Sequence, residues 1–314
     1  MRICSDTRMR LSLNDIDLDD RYFKISRDYI DEGLRSSIRD FGVLDPPVVV
    51  REPDRLRVVF GFNRLRILKE LGHDATPAVV LPGIDAEWYV RSVLLKCHRN
   101  EAGPVGRLKI LHILRNTFDG GADLIAHAAK NGLHIPEYFI NSESLLTAAM
   151  NLPQPLKRYL DHKDIPHKII RELTELAPDA IDMISRWLEY APIRVNIFKS
   201  LIGMLPDIYD RAEGAGTLQN IAPDEAGGIQ RWDEYLFGRI YRLRYPSYSS
   251  LKMKADEIVR RYSSEGIRIE YPPYFEGDSI SLTLSLRKQD DPEIIKKKID
   301  GMDRGVLREL LDLL

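Results

Sequence analysis

The first hundred or so residues alternate between helix-like and strand-like spacing of hydrophobic positions. Ile30, Leu34, Ile38 and Phe41 recur every three or four residues, which predicts an amphipathic helix that ends at Gly42. Short apolar runs predict strands within 11–16, 48–50, 56–60 and 78–81, and helical spacing predicts further helices at about 63–71 and after Asp85. This alternation is typical of a small α+β domain.

After Pro104 the strand pattern stops and helical spacing continues for about a hundred residues. Leu108, Leu111 and Leu114 mark one helix, and Leu124 begins a short second one. A further helix leads to Leu152-Pro153, and others are predicted at about 166–176, 179–190 and 193–209. This region is predicted to be all-α.

Residues 212–228 are small, polar and glycine-rich, which indicates a linker or a long loop. Beyond them we predict a helix near 248–262, a strand at 267–271, a half-buried strand at 280–286 and helices at about 291–300 and 303–313. The chain is therefore predicted to contain three units: an α+β domain (1–103), an all-α domain (104–211) and a small α+β C-terminal unit (229–314).

Composition narrows the class of protein. The chain has 314 residues and a formal net charge of −2, so DNA binding would need a local basic face. Its two cysteines exclude a disulfide framework and a cysteine-rich zinc site. Neither a signal peptide nor a membrane-spanning apolar run is evident, so a cytoplasmic location is expected.

The most informative segment is Gly61-Phe62-Asn63-Arg64-Leu65-Arg66, between a predicted strand and a predicted helix. Glycine at such a turn lets the backbone approach a ligand, and the N–H groups of the helix start favour an anion. Arg64 adds a forked donor suited to phosphate. The alternative is an ordinary helix start with surface arginines.

The stretch from Tyr29 to Leu81 resembles the N-terminal domain of ParB proteins, whose fold sulfiredoxins share. Residues 34–44 are similar to the family's LAESIREHGLL helix, and 47–50 to the strand that follows it. Gly61, Arg64 and Arg66 match the family motif GERRxRA, in which Asn63 replaces the first arginine and Phe62 the glutamate. The resemblance implies a CTP-type nucleotide at Gly61, Asn63, Arg64 and Arg66.

The family's second nucleotide motif, ENxxR, corresponds to Leu95-Lys96-Cys97-His98-Arg99. Arg99 is retained, so the resemblance adds it to the nucleotide-binding set. Lys96 stands where the family has the asparagine used at Mg²⁺, which puts Mg²⁺ binding and CTP hydrolysis in doubt. The Cys97-His98-Arg99 run is reminiscent of a sulfiredoxin signature at the wrong place in the fold, and we expect Cys97 to be a buried structural thiol.

Residues 145–153 and the segment after them resemble the ParB helix-turn-helix domain, although the spacing from Gly132 to Leu152 is longer than in the family motif. The most basic window of the chain follows, and it provides the expected DNA-phosphate contacts Lys157, Arg158, Lys163, His167 and Lys168. A solvated helix surface is the alternative for this window.

The resemblance implies a homodimer that binds double-stranded DNA in partition or transcriptional regulation. Two alternatives stay open: a ParB-domain enzyme (nuclease or nucleotide hydrolase) and a degenerate ParB-like scaffold. A nuclease would need clustered carboxylates for metal ions, and Asp17, Asp19 and Asp20 are the nearest candidates.

Overall fold

The alternating N-terminal pattern folds into a four-stranded sheet. The computed structural model describes residues 7–28, 31–118, 121–211, 218, 221, 231–262, 267–285, 293 and 304–314. The strands are β1 (Thr7–Ser12), β2 (Val48–Arg51), β3 (Leu56–Phe60) and β4 (Ala75–Leu81), in the order β1-β4-β2-β3. Strand β4 runs parallel to β2 and antiparallel to β1, and β3 is antiparallel to β2.

Three helices accompany this sheet: α1 (Glu32–Phe41), α2 (Phe62–Glu70) and α3 (Ala86–His98). Asp31 caps α1 at its start. Gly42, the predicted end of this helix, follows it in a positive-φ conformation. Strand β1 ends earlier than predicted, because the Ser12 hydroxyl accepts the N–H of Asn14 and residues 13–15 form a 3-10 turn.

The region after Pro104 is helical, as predicted. Its helices are α4 (Pro104–Thr117), α5 (Ala122–His127), α6 (Glu137–Ile140), α7 (Glu143–Asn151), α8 (Gln154–His162), α9 (His167–Thr174), α10 (Pro178–Tyr190) and α11 (Val195–Tyr209). A π-helical turn, Ala128–Gly132, follows α5 directly. In the described part of the chain, no helix is long and apolar enough to cross a bilayer.

Two hydrophobic clusters organise the described residues. The first is continuous from Leu11 to Ile240 and includes helix α12 (Trp232–Arg244), which packs on α11. Most of the predicted linker lies outside the described residues, but Leu218 and Ile221 are buried in this first cluster. The boundaries near 103 and within 212–228 therefore stay predictions.

The second cluster belongs to the C-terminal region, in α13 (Pro246–Tyr262), β5 (Ile267–Glu270), β6 (Ser281–Leu284) and α14 (Arg304–Leu311). The predicted helix at 291–300 falls almost wholly outside the described residues. Strand β6 was predicted to be half-buried, and this was wrong: Ser281, Leu282 and Thr283 are all exposed. Its only pairing partner among the described residues is β5, and a two-stranded sheet leaves a strand largely open to solvent.

Candidate functional site

The turn between β3 and α2 is built around Gly61. Its φ of +97° is a conformation that other residues rarely adopt. A Cβ at this position would also lie 2.7 Å from the Cβ and 2.8 Å from the Cα of Pro47, so the close approach of the two segments requires glycine. Gly61 has no side chain with which to cap α2, and this nine-residue helix begins at the turn with the positive end of its dipole.

This turn opens onto a cavity of about 290 Å³. Loop residues before α1, the start of α2 and the end of α3 form its walls. The lining residues are Ser26, Arg27, Asp31, Leu34, Gly61, Phe62, Asn63, Arg64, Lys96, Asn100 and Glu101. Three cationic side chains thus face two carboxylates beside the positive end of a helix. We call this the Gly61 cavity.

The polar side chains of the Gly61 cavity are held by neighbours. The Arg64 guanidinium is about one-fifth exposed and is paired with the exposed carboxylate of Asp45. The Asn63 side-chain amide donates to the Arg27 carbonyl at 3.3 Å. An incoming anion would compete with Asp45 for Arg64, because that carboxylate is solvated and easily replaced.

Lys96 also contributes to this cavity. Its ammonium lies 3.0 Å from a carboxylate oxygen of Glu101 and 4.8 Å from the centre of the Phe60 ring. Lys96 therefore brings a fixed positive charge to the position where the family motif has asparagine. In the described part of the chain, no group of three His, Cys, Asp or Glu side chains is arranged to hold a metal ion.

Two of the expected nucleotide contacts lie away from this cavity. Arg66 is half-exposed and approaches Glu70 at 3.3 Å, and Arg35 binds the same carboxylate. Hydrogen bonding from Arg35, followed by the nearby charges of Arg35 and Arg66, lowers the pKa of Glu70. Arg99 is exposed at the end of α3. Successive helical residues are about 100° apart, so Arg64 and Arg66 point in different directions.

Arg27 is a contributor that sequence reasoning missed. One guanidinium nitrogen, Nη2, donates to Asp164 Oδ1 at 2.6 Å and to Asn100 Oδ1 at 3.2 Å. The other terminal nitrogen, Nη1, donates to the backbone carbonyl of Asp161. Arg27 thus ties one wall of the Gly61 cavity to α8 and to the turn that follows α8. No local sequence signal marks it, since its partners are distant along the chain.

The candidate helix-turn-helix segment runs from α5 to α7. Helix α6 lies within the interval from Gly132 to Leu152, whose length exceeds that of the family motif. Helix α7, which contains most of the 145–153 segment, exposes Glu143, Ser144, Thr147 and Asn151 and carries no lysine or arginine. Phosphate contacts in this region must therefore come from other elements.

The five expected DNA contacts divide into two groups. Arg158, Lys163 and Lys168 are exposed, on or next to α8 and α9. The Lys157 ammonium instead donates to the Met150 carbonyl at 2.7 Å. The His167 Nε2 atom lies 3.1 Å from the Pro104 carbonyl oxygen, and burial lowers the pKa of this imidazole. Lys157 and His167 thus each have a backbone carbonyl as a partner.

The structure gives contacts for the acidic residues considered for a nuclease and for the cysteine considered for a sulfiredoxin-like signature. Asp20 lies 2.7 Å from Arg57 and 3.0 Å from Arg55, and Asp17 accepts the backbone N–H of Asp19 at 2.9 Å. These carboxylates are used in ion pairs and in a local turn. Cys97 is buried, as expected, and burial raises the pKa of its thiol, which opposes the reactive thiolate form.

No family model and no curated protein matches the chain. The solved structures similar to it include ParB chromosome-partitioning proteins and a ParB-N domain. C-terminally truncated ParB from Caulobacter crescentus in complex with CTP-γ-S is 17% identical, with 58% of this chain and 99% of that chain covered and a TM-score of 0.25. The same protein in complex with the centromeric parS site is also 17% identical, with 62% of this chain and 97% of that chain covered and a TM-score of 0.26.

The Pnob8-like ParB-N domain is 16% identical, with 72% of this chain and 98% of that chain covered and a TM-score of 0.35.

Proposed function

We propose that this chain is a ParB-like DNA-binding protein whose Gly61 cavity binds the phosphates of a nucleotide of the CTP type. The observation that carries the proposal is the convergence of a glycine turn, the positive end of helix α2 and Arg64 on one cavity. Such a cavity offers the positive end of a helix dipole and a forked cation together, and both favour the negative charge of a triphosphate.

Within the proposed site, Arg64 binds phosphate oxygens and releases Asp45. Asn63 keeps the loop of Arg27 against the helix start through its bond to the Arg27 carbonyl. Lys96 supplies a positive charge on the opposite wall, held in place by Glu101. An ammonium in this position neutralises phosphate charge by itself, so we propose nucleotide binding without a requirement for Mg²⁺ and assign no hydrolytic step.

A nucleotide titration tests this site directly. Calorimetry of the full chain with CTP, in the presence of EDTA, should detect binding that Arg64→Ala reduces at least tenfold. Arg66→Ala is the matched control, because Arg66 is two positions along the same helix and pairs with Glu70 outside the cavity. Equal CTP affinity of the wild type and Arg64→Ala would refute the site.

The proposed DNA contacts are the three exposed cations Arg158, Lys163 and Lys168. Each neutralised phosphate contributes about −0.9 to the slope of log K against log salt. Replacing Lys163 and Lys168 by glutamine should flatten that slope by up to about two and weaken binding to all duplexes alike. Loss of binding to one sequence only would place these side chains at base edges instead.

One observation favours the alternative of a scaffold that no longer binds DNA. Helix α7 has an acidic residue, Glu143, in its first turn and no basic residue along its length. The two functions differ in a filter-binding titration of the full chain at low salt. Binding of random and gene-proximal duplexes supports the DNA-binding function, in which the chain acts in partition or transcriptional regulation as a homodimer. No detectable binding supports the scaffold.

A further inference from the structure

A second cavity of about 280 Å³ lies between the loop 21–28, helix α4 and helix α8. It is separate from the Gly61 cavity, and Ser26 is the one residue that lines both among those described. The other side chains that matter are Arg21, Lys24, Asp28, Lys109, His112, Lys157, Arg158 and Asp161. We call this the Lys109 cavity, after the lysine that α4 contributes.

Its charges do not balance. Arg21, Lys24, Lys109, Lys157 and Arg158 are five cations, and Asp28 and Asp161 are the two carboxylates that line the cavity with them. Asp28 is shared by three of the cations: it contacts Lys24 and lies 3.8 Å from Arg21 and 3.6 Å from Arg158. Little negative charge is left for the two remaining lysines.

Asp161 does not neutralise those lysines, because its carboxylate is used elsewhere. Its Oδ1 atom accepts the backbone N–H groups of Val105 at 2.7 Å and of Gly106 at 3.3 Å. Burial raises the pKa of this carboxyl to about 6, although both backbone hydrogen bonds oppose the rise. Asp161 therefore serves as a cap of α4 more than as a counter-ion.

Lys109 and Lys157 have no carboxylate within ion-pair distance among the residues that the structure describes. Their ammonium groups donate to neutral backbone carbonyls, Lys109 to Arg21 at 2.6 Å and Lys157 to Met150 at 2.7 Å. An ammonium has three N–H donors, so each lysine keeps donors for a ligand. Both side chains are partly buried, where an unneutralised charge is costly.

The electrostatics of Lys109 agree with this geometry. Burial, followed by repulsion from Lys157 and Lys24, lowers the pKa of Lys109 to about 8. Asp28 on the loop opposes that shift, and Arg21 adds to it. Burial and the nearby Lys109 also lower the pKa of His112, on the same helix. An anion placed among these groups would remove the repulsion between them.

We propose that the Lys109 cavity is a binding site for a compact phosphorylated ligand, with Lys109 and Lys157 as its contacts. A doubly charged phosphate or diphosphate group supplies the negative charge that the cavity lacks and accepts several N–H donors at once. The volume lies at the small end of ligand pockets, which suits such a group. A DNA duplex carries its phosphates on a convex ridge and would meet the exposed Arg158 before the partly buried lysines.

Titration of the full chain with inorganic pyrophosphate at pH 7 tests the proposal. Calorimetry should show binding that Lys109→Met and Lys157→Met each weaken about tenfold or more. Arg91→Met is the matched control, because Arg91 is an exposed arginine whose ion-pair partner is Glu87, on the same helix. Circular dichroism melts of each variant establish that the fold is retained, and Lys157→Gln serves as a second substitution if Lys157→Met does not fold.

The Arg64→Ala variant separates this site from the nucleotide site. It should lose CTP and keep the pyrophosphate binding that depends on Lys109. The proposal is overturned if pyrophosphate does not bind, if Lys109→Met and Lys157→Met bind it as well as Arg91→Met does, or if Arg64→Ala alone removes it. Binding of duplex DNA that depends on Lys109, with no binding of pyrophosphate, also overturns it.

Discussion

The Gly61 cavity and the Lys109 cavity differ in how their positive charges are neutralised. In the Gly61 cavity each of the three cations, Arg27, Arg64 and Lys96, is paired with a carboxylate. In the Lys109 cavity five cations share two carboxylates, and Lys109 and Lys157 donate to neutral backbone carbonyls instead. A site with paired charges is stable without its ligand, whereas unneutralised charge that is partly buried lowers folding stability until an anion binds.

The largest expected effect concerns the backbone of the first cavity. Gly61→Ala should lower the free energy of unfolding by about 2–3 kcal/mol, because it combines a strained φ with a contact on Pro47. Gly72→Ala is the control: Gly72 has a similar positive φ, but a Cβ there meets nothing within 4 Å. Its cost should be about 1 kcal/mol. Urea denaturation of both variants makes the measurement, and equal costs would contradict a turn formed by close approach.

The next effect concerns the loop that the cavities share. Arg27→Ala should cost about 1–2 kcal/mol, because it removes hydrogen bonds to Asp164, Asn100 and the Asp161 carbonyl. Arg91→Ala should cost less than about 0.5 kcal/mol, since Arg91 is exposed and pairs within its own helix. Similar thermal midpoints for the two variants would mean that Arg27 does not hold the loop in place.

A smaller effect of opposite sign tests the unbalanced charge. Lys109→Met should raise the free energy of unfolding at pH 7 by about 1 kcal/mol, because it removes an unneutralised ammonium. The pKa of Lys109 is lowered to about 8, so between about pH 8 and its ordinary value the unfolded chain binds more protons than the folded one. Wild-type stability therefore rises with pH relative to the variant, and the advantage of Lys109→Met should shrink towards pH 10.

Lys96→Met is the counterpart in the Gly61 cavity. Lys96 is paired with Glu101, so its replacement leaves a carboxylate without its partner and should destabilise the protein. Urea denaturation at pH 7 and pH 9.5 compares the two variants. The contrast between the cavities is contradicted if both lysine substitutions change stability in the same direction.

The smallest expected effect tests which arginines belong to the nucleotide site. Arg66→Ala and Arg99→Ala should change CTP affinity less than about twofold, because both side chains lie outside the Gly61 cavity. Loss of the solvent-exposed pair between Arg66 and Glu70 should also leave stability essentially unchanged. A tenfold loss of affinity in either variant would show that the bound state brings these arginines to the ligand.

The sequence predicted the strand and helices around the Gly61 cavity and some of the side chains that line it. Periodic apolar positions fix where α1 and α2 form, and the glycine turn between β3 and α2 has a local signature, so Gly61 and Arg64 were identifiable. The other contributors, Arg27 and Asn100, have no signature, because they join the cavity only when distant segments pack together. The nucleotide contact of Arg66 stays a prediction from the motif: two residues apart on a helix, Arg64 and Arg66 cannot face the same point, and Arg66 lies beside Glu70.

The Lys109 cavity was not foreseen at all. Lys157 belonged to a basic window that favours a surface role, yet tertiary packing turns it towards Met150. No local pattern distinguishes Lys109 from the other polar residues of helix α4. The excess of positive charge in this cavity arises because the loop 21–28, α4 and α8 pack together. It cannot be recognised from any one of these segments alone.

The start of α4 has a consequence for the order in which the chain folds. Gly103 supplies no cap of its own, and the first N–H groups of the helix reach Asp161, 56 positions beyond Val105. The hydrogen bonds at the first turn of α4 are therefore complete only once a loop of that length has closed and α8 has docked. If α8 docks on α4 before the rate-limiting barrier, Asp161→Ala should slow refolding more than it speeds unfolding. Stopped-flow measurements of both rates would show whether this contact forms before or after the barrier.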